Sequence, residues 1–434
     1  MLRDRGVTLP AVLLAMLLPG AANARIELIS RVPPRLAPDT ATGGTQERPA
    51  LSDDGRYAAF LSAAPHLIPG QIDPDPSVDI FLHDRVAGTT RLVTHAAGSP
   101  VTAADREVEL QSPALSADGR FVAFTSPARD LVPGLGDGAT YNVYLWDRET
   151  GEATLVSRRA GAGEAADGDS FSPSLSAGGG VLAFVSTATE LVPGTAVEGQ
   201  EQNVYLYERA TGTVTLVSRS AASASRSGNN PSFAPAVSAD GRFVAYLSGA
   251  PDLIPGQSDS NLSLDVFLYD RLTGVTTLVS RAASSALTTS NGGSQLPILS
   301  GFSLPPSLSG DGRYVVFSSF GTDLVPGVPD TNDRPDVFLF DRLQGTVAFV
   351  SLSGSPPHVA DGGYEPRISR DGGTVVYFLD DLARHATGSQ IVAYDVATGS
   401  RGLVTRAPES PFTFGNRGAN SVSLSADGRT VAFT

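Results

Sequence analysis

The chain contains no cysteine and no lysine, and all 31 of its Lys-or-Arg positions are arginine. Without cysteine it can form no disulfide, carry no lipid-modified cysteine and use no thiol in catalysis. Long hydrophobic runs are absent beyond position 24, so no later stretch could cross a bilayer. The formal net charge of −14 argues against nucleic acid or an anionic membrane as partner.

The N-terminal segment 1–24 has the pattern of a secretory signal peptide. Arginines at positions 3 and 5 precede an apolar run over 7–18, and "ANA" at 22–24 fits a small-residue cleavage site. The run is shorter than the ~20 residues that a membrane span needs, which favours export over anchoring. We therefore predict a signal peptide over 1–24, a single mature domain over 25–434, and a periplasmic or secreted protein.

One short segment recurs along the chain, as in "SPALSADGRFVAFTS" (112–126), "APAVSADGRFVAYLS" (234–248) and "PPSLSGDGRYVVFSS" (305–319). A long period with a strand pattern inside each unit is the mark of a repeat architecture. The glycines of the shared turn recur at similar intervals and are Gly55, Gly119, Gly179, Gly241, Gly312, Gly372 and Gly428.

Each repeat contains four predicted strands, which we name A to D. Strand A ends in an Asp-Gly turn such as Asp118-Gly119, a strong hairpin signal. Strand B is rich in aromatic and β-branched residues, strand C reads "DVFLYDR" (265–271), and strand D reads "VTTLVSR" (275–281). Repeated four-stranded antiparallel units bury their faces by packing in a ring, which predicts an all-β protein with the β-propeller fold. A linear β-solenoid is the alternative, but its repeats are shorter.

The repeat also resembles a known family. The pattern S-x-D-G-[RK]-[FY]-[VIL]-A-[FY], followed by a D-[VI]-[FY]-[LV]-x-D strand, resembles the TolB-like (WD-like) propeller repeats of exported bacterial proteins. The resemblance covers residues 48 to 434 and implies the fold and the cell envelope. TolB itself has an additional N-terminal domain with no counterpart here, so the role of TolB is not implied.

The two ends of the chain predict how the ring closes. Residues 25–31 read as a strand D, whereas the hairpin 421–434 supplies strands A and B. We expect six complete blades and a split seventh blade, in which the C-terminal hairpin pairs with the N-terminal strand 25–31. That blade would have no strand C, so we also expect the sequence to be C-terminally truncated.

Three of the predicted B–C loops are acidic and share the pattern D-x-[DN]-x-x-x-D. Oxygen ligands at alternate positions, followed by a later carboxylate, suit Ca²⁺, although the fixed glycine and bidentate glutamate of an EF-hand are missing. The alternative is that these side chains cap turns before strand C. The candidate calcium ligands are Asp73, Asp75, Asp79, Asp259, Asn261, Asp265, Asp330, Asn332 and Asp336.

No catalytic motif stands out, and we assign no catalytic residue. There is no G-x-S-x-G nucleophile elbow, and the five histidines show no metal-binding spacing. The long, variable B–C and D–A loops lie on one predicted face, and loops on a rigid scaffold often carry binding. We therefore predict a monomeric scaffold that binds a protein or an envelope glycan. The alternatives are a glycan hydrolase or lyase with acids at the channel, and a calcium-stabilised structural module.

Overall fold

The computed structural model describes residues 14–17, 45–73, 77–109, 111–135, 140–197, 201–294, 305–328, 330, 332–353, 359–360, 362–379, 390–405 and 422–433. Regular structure within these ranges is entirely β. In the same ranges no helix is long and apolar enough to span a membrane.

Six antiparallel sheets have four strands each, in the order A-B-C-D along the chain. Blade 1 has β2 (Thr45–Leu51), β3 (Tyr57–Ser62), β4 (Asp79–Asp84) and β5 (Thr89–Leu92); blade 2 has β6 (Ala114–Leu115), β7 (Phe121–Ser126), β8 (Asn142–Asp147) and β9 (Glu152–Leu155); blade 3 has β10 (Ser170–Leu175), β11 (Val181–Ser186), β12 (Asn203–Glu208) and β13 (Thr213–Leu216). Blade 4 has β14 (Ser232–Val237), β15 (Phe243–Ser248), β16 (Asp265–Asp270) and β17 (Val275–Leu278); blade 5 has β18 (Ser307–Leu308), β19 (Tyr314–Ser319), β20 (Asp336–Asp341) and β21 (Thr346–Phe349); blade 6 has β24 (Gly363–Ile368), β25 (Thr374–Leu379), β26 (Gln390–Asp395) and β27 (Arg401–Leu403). The predicted all-β propeller with four-stranded blades is confirmed.

A smaller hairpin lies between blades 5 and 6, and a three-stranded sheet forms the seventh blade. The hairpin pairs β22 (Leu352–Ser353) with β23 (Val359–Ala360). In the seventh blade, β28 (Val422–Leu424) and β29 (Thr430–Phe433) are strands A and B, and β1 (Leu14–Leu17) pairs antiparallel with β29. The place of strand C is therefore held by β1, from the segment predicted as signal peptide. Residues 25–31, predicted as strand D, lie outside the described residues.

The A–B hairpin is built by the same local interactions in most blades. In blade 2, Ser116 Oγ donates to Asp118 Oδ1 (2.6 Å) and accepts the amide of Phe121 (2.8 Å). Gly119 has φ of +65°, and a Cβ there would lie 2.3 Å from Cδ2 of Tyr57 in blade 1. This glycine is therefore required both by the turn and by the close approach of the neighbouring blade.

Strands B and C carry apolar residues on both faces, because each blade is covered by a blade on either side. All six residues of β7 are buried, and so are the first five of β8. In blades 1 to 5 an aromatic pair stacks across strands B and C, as between Phe124 and Tyr144 at 5.6 Å between ring centroids, whereas the stacked pair of blade 6, Tyr364 and Phe378, joins strands A and B. This double coverage explains why the strands read as continuous apolar runs rather than as alternating patterns.

Arginines link consecutive blades on the face of the A–B and C–D turns. The ring of Tyr57 in blade 1 lies between two guanidinium groups, Arg56 of its own blade at 4.9 Å and Arg148 of blade 2 at 4.3 Å. Phe121 and Phe243 are enclosed in the same way at the blade 2–3 and blade 4–5 interfaces.

The interface between blades 3 and 4 departs from this pattern, because Val181 takes the aromatic position. There Arg271 instead forms a salt bridge with Glu208 of blade 3, at 2.5 Å between Nη1 and Oε1. An ion pair thus replaces the cation–π contact where the ring is missing.

Candidate functional site

The propeller presents two unlike faces, and on one of them the A–B turns are hydrogen-bonded from blade to blade. Six backbone hydrogen bonds run between the A–B turns of consecutive blades, and we call them the turn belt. Its members are Asp53 N to Ala117 O (2.9 Å), Ala117 N to Ala177 O (2.8 Å), Ala177 N to Ala239 O (3.0 Å), Asp240 N to Gly310 O (3.1 Å), Gly310 N to Arg370 O (2.7 Å) and Asp371 N to Ala426 O (3.1 Å). Backbone groups that are paired in this way are not available to bind a partner.

One large side chain lies among the small residues of the turn belt. Arg370 of blade 6 extends to Asp53 of blade 1 and forms a salt bridge with it, past the seventh blade. A Cβ on Gly310 would lie 2.5 Å from Cγ of Arg370, so the neighbouring position has no room for a side chain. The ion pair thus adds a side-chain link between blades 6 and 1 to the backbone links of the turn belt.

The opposite face is formed by the B–C and D–A loops, and its loops are tied together by side chains. In blade 2 the amide of Asp105 donates to Asp130 Oδ1 (3.0 Å), and the amide of Arg129 donates to Asp105 Oδ1 (2.8 Å). Burial and the Asp105 charge raise the pKa of Asp130. The predicted hydrolase or lyase would need such a carboxylate pair.

The same loop contact recurs without the second carboxylate. The amide of Asn229 donates to Asp252 Oδ1 (3.1 Å) in blade 4, and that of Asn291 donates to Asp323 Oδ1 (2.9 Å) in blade 5. This hydrogen bond from a D–A loop amide to a B–C loop aspartate is therefore a repeated structural contact. The Asp105–Asp130 pair of blade 2 is one example of it. It fixes the loops of this face to one another.

The first residue of strand C takes part in a second repeated device, which we call the strand C–D relay. In blade 4, Ser280 Oγ donates to Asp265 Oδ1 (2.8 Å) and accepts the amide of Val266 (2.9 Å). Six blades share this geometry, with hydroxyl-to-acceptor distances of 2.6 to 3.1 Å. The acceptors are Asp79, Asn142, Asn203, Asp265, Asp336 and Gln390, and the hydroxyl donors are Thr94, Ser157, Ser218, Ser280, Ser351 and Thr405.

Two relay acids have strongly raised pKa values. Burial, reinforced by the charge of Asp259, raises the pKa of Asp265 to about 7, against hydrogen bonds from Ser280 and Asn261 that lower it. Burial also raises the pKa of Asp336 to about 6, and the charge of Asp330 adds to the effect. These carboxyls therefore take up or release a proton near neutral pH, at the loop face of the propeller.

The candidate calcium loop of blade 4 brings its three predicted residues together. Asn261 Nδ2 lies 3.4 Å from Asp265 Oδ1 and donates to the carbonyl of Ser290 (2.8 Å). Asp259 Oδ1 accepts the amides of Asn261 (3.1 Å) and Leu262 (2.9 Å). Leu262 is 91% exposed and has φ of +51°, so a leucine in the left-handed conformation lies at the surface of this loop.

The loop of blade 5 repeats this arrangement with one change. Asn332 Nδ2 lies 3.4 Å from Asp336 Oδ2, and Asp330 Oδ1 accepts the amide of Asn332 (3.3 Å). Asp333, with φ of +53°, holds the place of Leu262. The two loops are thus built alike around left-handed residues.

The third candidate loop, in blade 1, is described only in part. Asp79 begins β4 and accepts the hydroxyl of Thr94 (2.7 Å), as its relay position requires. Both carboxylate oxygens of Asp73, in the B–C loop, are buried, and Asp75 lies outside the described residues.

The two complete loops show the turn-capping geometry that was the alternative to a metal site. Asp259 Oδ1 and Asn261 Oδ1 each accept a backbone amide two residues onward, as in an Asx turn. Among the described residues no group of three or more His, Asp or Glu side chains has a metal-binding arrangement. The same oxygen atoms are those predicted to bind calcium, and that assignment stays a prediction.

The relay serines and threonines were not among the predicted site residues, although the sequence contains a signal for them. Each lies 14 or 15 residues after its partner groups on strand C, as Ser280 does after Asp265 and Val266. Aligning the repeats would have shown a hydroxyl at the end of every strand D, paired with Asp, Asn or Gln at the start of strand C.

No protein-family model matches the chain, and no curated protein matches its sequence. Similar solved structures include TolB from Acinetobacter baumannii, 14% identical, covering 90% of this chain and 79% of that chain, with a TM-score of 0.37. An oligogalacturonate lyase in complex with manganese is 13% identical and covers 89% of this chain and 87% of that chain (TM-score 0.49). The β-propeller domain of the Trilobed protease from Pyrococcus furiosus is 9% identical and covers 88% of each chain (TM-score 0.46). TolB, whose repeats the sequence resembles, is thus among the solved structures that this chain is similar to, while the propeller fold itself rests on the blades described above.

Proposed function

We propose that this propeller is an exported binding scaffold, which recognises a protein or an envelope glycan through its B–C and D–A loops. The observation that carries the proposal is the contrast between the two faces. On one face the short A–B turns are tied to one another by the turn belt and by the Arg370–Asp53 pair, so their backbone groups are already paired. The other face carries the longer loops, which are fixed by the recurring loop contacts.

Pre-formed loops favour binding because little conformational entropy is lost when a partner docks. Leu262 supports this assignment, since a 91% exposed leucine with φ of +51° lowers the stability of the free protein. Such residues tend to persist where a partner covers them. The acidic net charge of −14 favours a neutral or basic partner over nucleic acid.

The arginines, apolar run and small-residue site of the segment 1–24 support export to the periplasm or beyond. We propose that the mature protein acts as a monomer, because its extensively covered blades need no second copy.

The calcium assignment is kept as a secondary proposal for the loops at 259–265 and 330–336. In each loop, two carboxylates and an asparagine amide converge on the start of strand C. Desolvation raises the pKa of the buried acid in both loops, and a bound cation would offset this by favouring the ionised form.

Site-specific photocrosslinking would test the binding face. A benzophenone amino acid would replace Leu262 on the loop face, and Leu272 in a C–D turn on the opposite face would be the matched control. Both leucines are well exposed, at 91% and 66%. We expect envelope extract to give a discrete adduct from position 262 and none from position 272. Equal labelling at both positions, or labelling only at 272, would contradict the proposal.

A further inference from the structure

The interface of blades 1 and 2 contains a histidine at a position where the next three interfaces contain an arginine. The residue that follows the relay hydroxyl at the end of strand D reaches across to the next blade. In blade 1 this residue is His95, and in blades 2 to 4 it is Arg158, Arg219 and Arg281. Each arginine donates to the carbonyl of a glycine in the C–D turn of the following blade. A guanidinium stays charged at every physiological pH, whereas an imidazole does not.

The ring that faces this position in the following blade is also equivalent. Tyr269 in strand C of blade 4 lies under Arg219, at 5.5 Å from the guanidinium carbon to the ring centroid. Trp146, the single tryptophan of the chain, holds the same place in strand C of blade 2. It is 1% exposed, and its Nε1 donates to His95 Nε2 at 3.4 Å. A hydrogen bond thus takes the place of the cation–π contact.

The partners of the two ring nitrogens require His95 to be neutral. Nδ1 lies 3.0 Å from the carbonyl oxygen of Ala96, which can only accept, so the ring proton is on Nδ1. The indole N–H of Trp146 can only donate, so Nε2 must carry a lone pair. A second proton, on Nε2, would set two N–H groups against each other and abolish the bond between the blades. Because His95 is 7% exposed, there is little water to replace the lost partner.

His95 belongs to the D–A loop of blade 1, which lies on the loop face. It forms an isolated β-bridge with Ala103 on the returning side of this loop. The amide of Ala97 in the same loop donates to the backbone oxygen of Asp130 in blade 2 (2.7 Å). Trp146 is part of the apolar cluster that blades 1 and 2 share. Its bond to His95 therefore joins this loop to the interior of the interface.

Charged side chains lie on the elements that pack around His95, namely its own loop, strand D of blade 1, and the B–C loop and strand D of blade 2. They are Arg91, Asp105, Arg106, Glu107, Arg129, Asp130 and Glu152. The carboxylates favour an imidazolium and the guanidinium groups oppose it, so their effects largely cancel. The contact that distinguishes the two charge states is the bond from Trp146, which only the neutral ring can accept.

We propose that His95 is a proton-sensitive link, which holds the D–A loop of blade 1 against blade 2 when it is neutral and releases the loop when it is protonated. Histidine is the side chain that ordinarily changes charge between about pH 5 and pH 8. The arginines at the same position in blades 2 to 4 keep their charge and their contacts over this range. Acid therefore loosens this one of the four interfaces. The link does not depend on what the loop face binds.

The indole N–H of Trp146 gives a single NMR resonance, which reports the link directly. In the whole chain we expect this resonance to shift as a one-proton titration between pH 8 and pH 5, because the N–H loses its acceptor. The shift should be absent in His95→Gln, whose side-chain oxygen can accept the N–H but does not titrate. The matched control is His83→Gln, at a second buried histidine that contacts Thr90 within blade 1. It should keep the titration.

Hydrogen exchange would test whether the loop is released. After correction for intrinsic rates, protection of the Ala97 amide should fall about fivefold from pH 8 to pH 5, which corresponds to about 1 kcal/mol for one hydrogen bond. His95→Gln should abolish this fall. The equivalent amide of Ala221, which donates to Asp252 O, is the internal control and should not change. An indole resonance that does not titrate, one that still titrates in His95→Gln, unchanged protection at Ala97, or an equal loss at Ala221 would each overturn the proposal.

Discussion

Replacing Asp265 by asparagine should stabilise the protein above neutral pH and leave its stability unchanged in acid. Asp265 is 2% exposed and accepts the hydroxyl of Ser280. Asn142 and Asn203 occupy the same relay position and accept equivalent hydroxyl bonds at 2.9 and 3.1 Å. An amide therefore fits this site, and the substitution removes mainly the ability to ionise.

The magnitude follows from the difference in pKa between the folded and unfolded states. Burial raises the pKa of Asp265 to about 7 in the folded protein, whereas an unfolded aspartate titrates near 3.9. Below about pH 4 the protonated Asp265 carboxyl makes its full contribution to the free energy of unfolding. This contribution is lost as the pH rises to about 7. Above that pH the buried charge costs about 4 kcal/mol, from roughly three pKa units at 1.36 kcal/mol each. The asparagine variant never incurs this cost.

Urea unfolding at pH 5 and pH 8 with a chelator present would measure the effect, and Asn203→Asp is the reciprocal control. We expect Asp265→Asn to raise the free energy of unfolding at pH 8 by up to about 4 kcal/mol, and by much less at pH 5. The control should lose stability mainly at pH 8. A variant less stable than the parent at pH 8 would refute the reasoning. A gain that turns into a loss when Ca²⁺ is added would show that the carboxylate binds the ion.

Three further outcomes are expected. Calorimetric titration with Ca²⁺ should release heat and raise Tm if the acidic loops bind it, and the absence of both changes would reject the calcium proposal. Leu262→Asn should raise the free energy of unfolding by about 1 kcal/mol, because asparagine tolerates positive φ better than leucine does; a destabilised variant would argue against local strain. Glu208→Gln should lower the free energy of unfolding by about 0.5–1 kcal/mol through its salt bridge with Arg271, an effect that should shrink in high salt if it is electrostatic.

The repeat architecture could be predicted because its signals are local. The Asp118-Gly119 turn and the apolar strands on either side lie within a few residues of one another. Strand C, read from the sequence as 265–271, is β16 at Asp265–Asp270, and strand D at 275–281 begins with β17 at Val275–Leu278. Turn chemistry and strand composition determine these elements before any tertiary contact forms.

The site was harder to predict because its contacts connect distant parts of a blade. Spacing suggested that Asp265 and Asp336 are metal ligands, but spacing does not show the hydroxyls of Ser280 and Ser351 that reach them across the C–D turn. Their raised pKa values depend on burial, which is set by neighbouring blades.

Ring closure was predicted in part. The hairpin of β28 and β29 forms two strands of the seventh blade, as expected from "SVSLSADGRTVAFT". The segment beside β29 is β1, which lies within the stretch 1–24 predicted as signal peptide, and the signal peptide stays a prediction.

The turn belt has a consequence for how the molecule opens. Its donors lie in the A–B turns of successive blades, and each donates to the following blade. Moving any blade between the first and the seventh outward must therefore break its hydrogen bonds to the preceding and to the following blade. Amide hydrogens at these positions should exchange with deuterium together, at one slow rate, instead of blade by blade. Because of the belt, the linked blades open together. A partner bound to a single loop would therefore slow hydrogen–deuterium exchange at the turn-belt amides of all these blades.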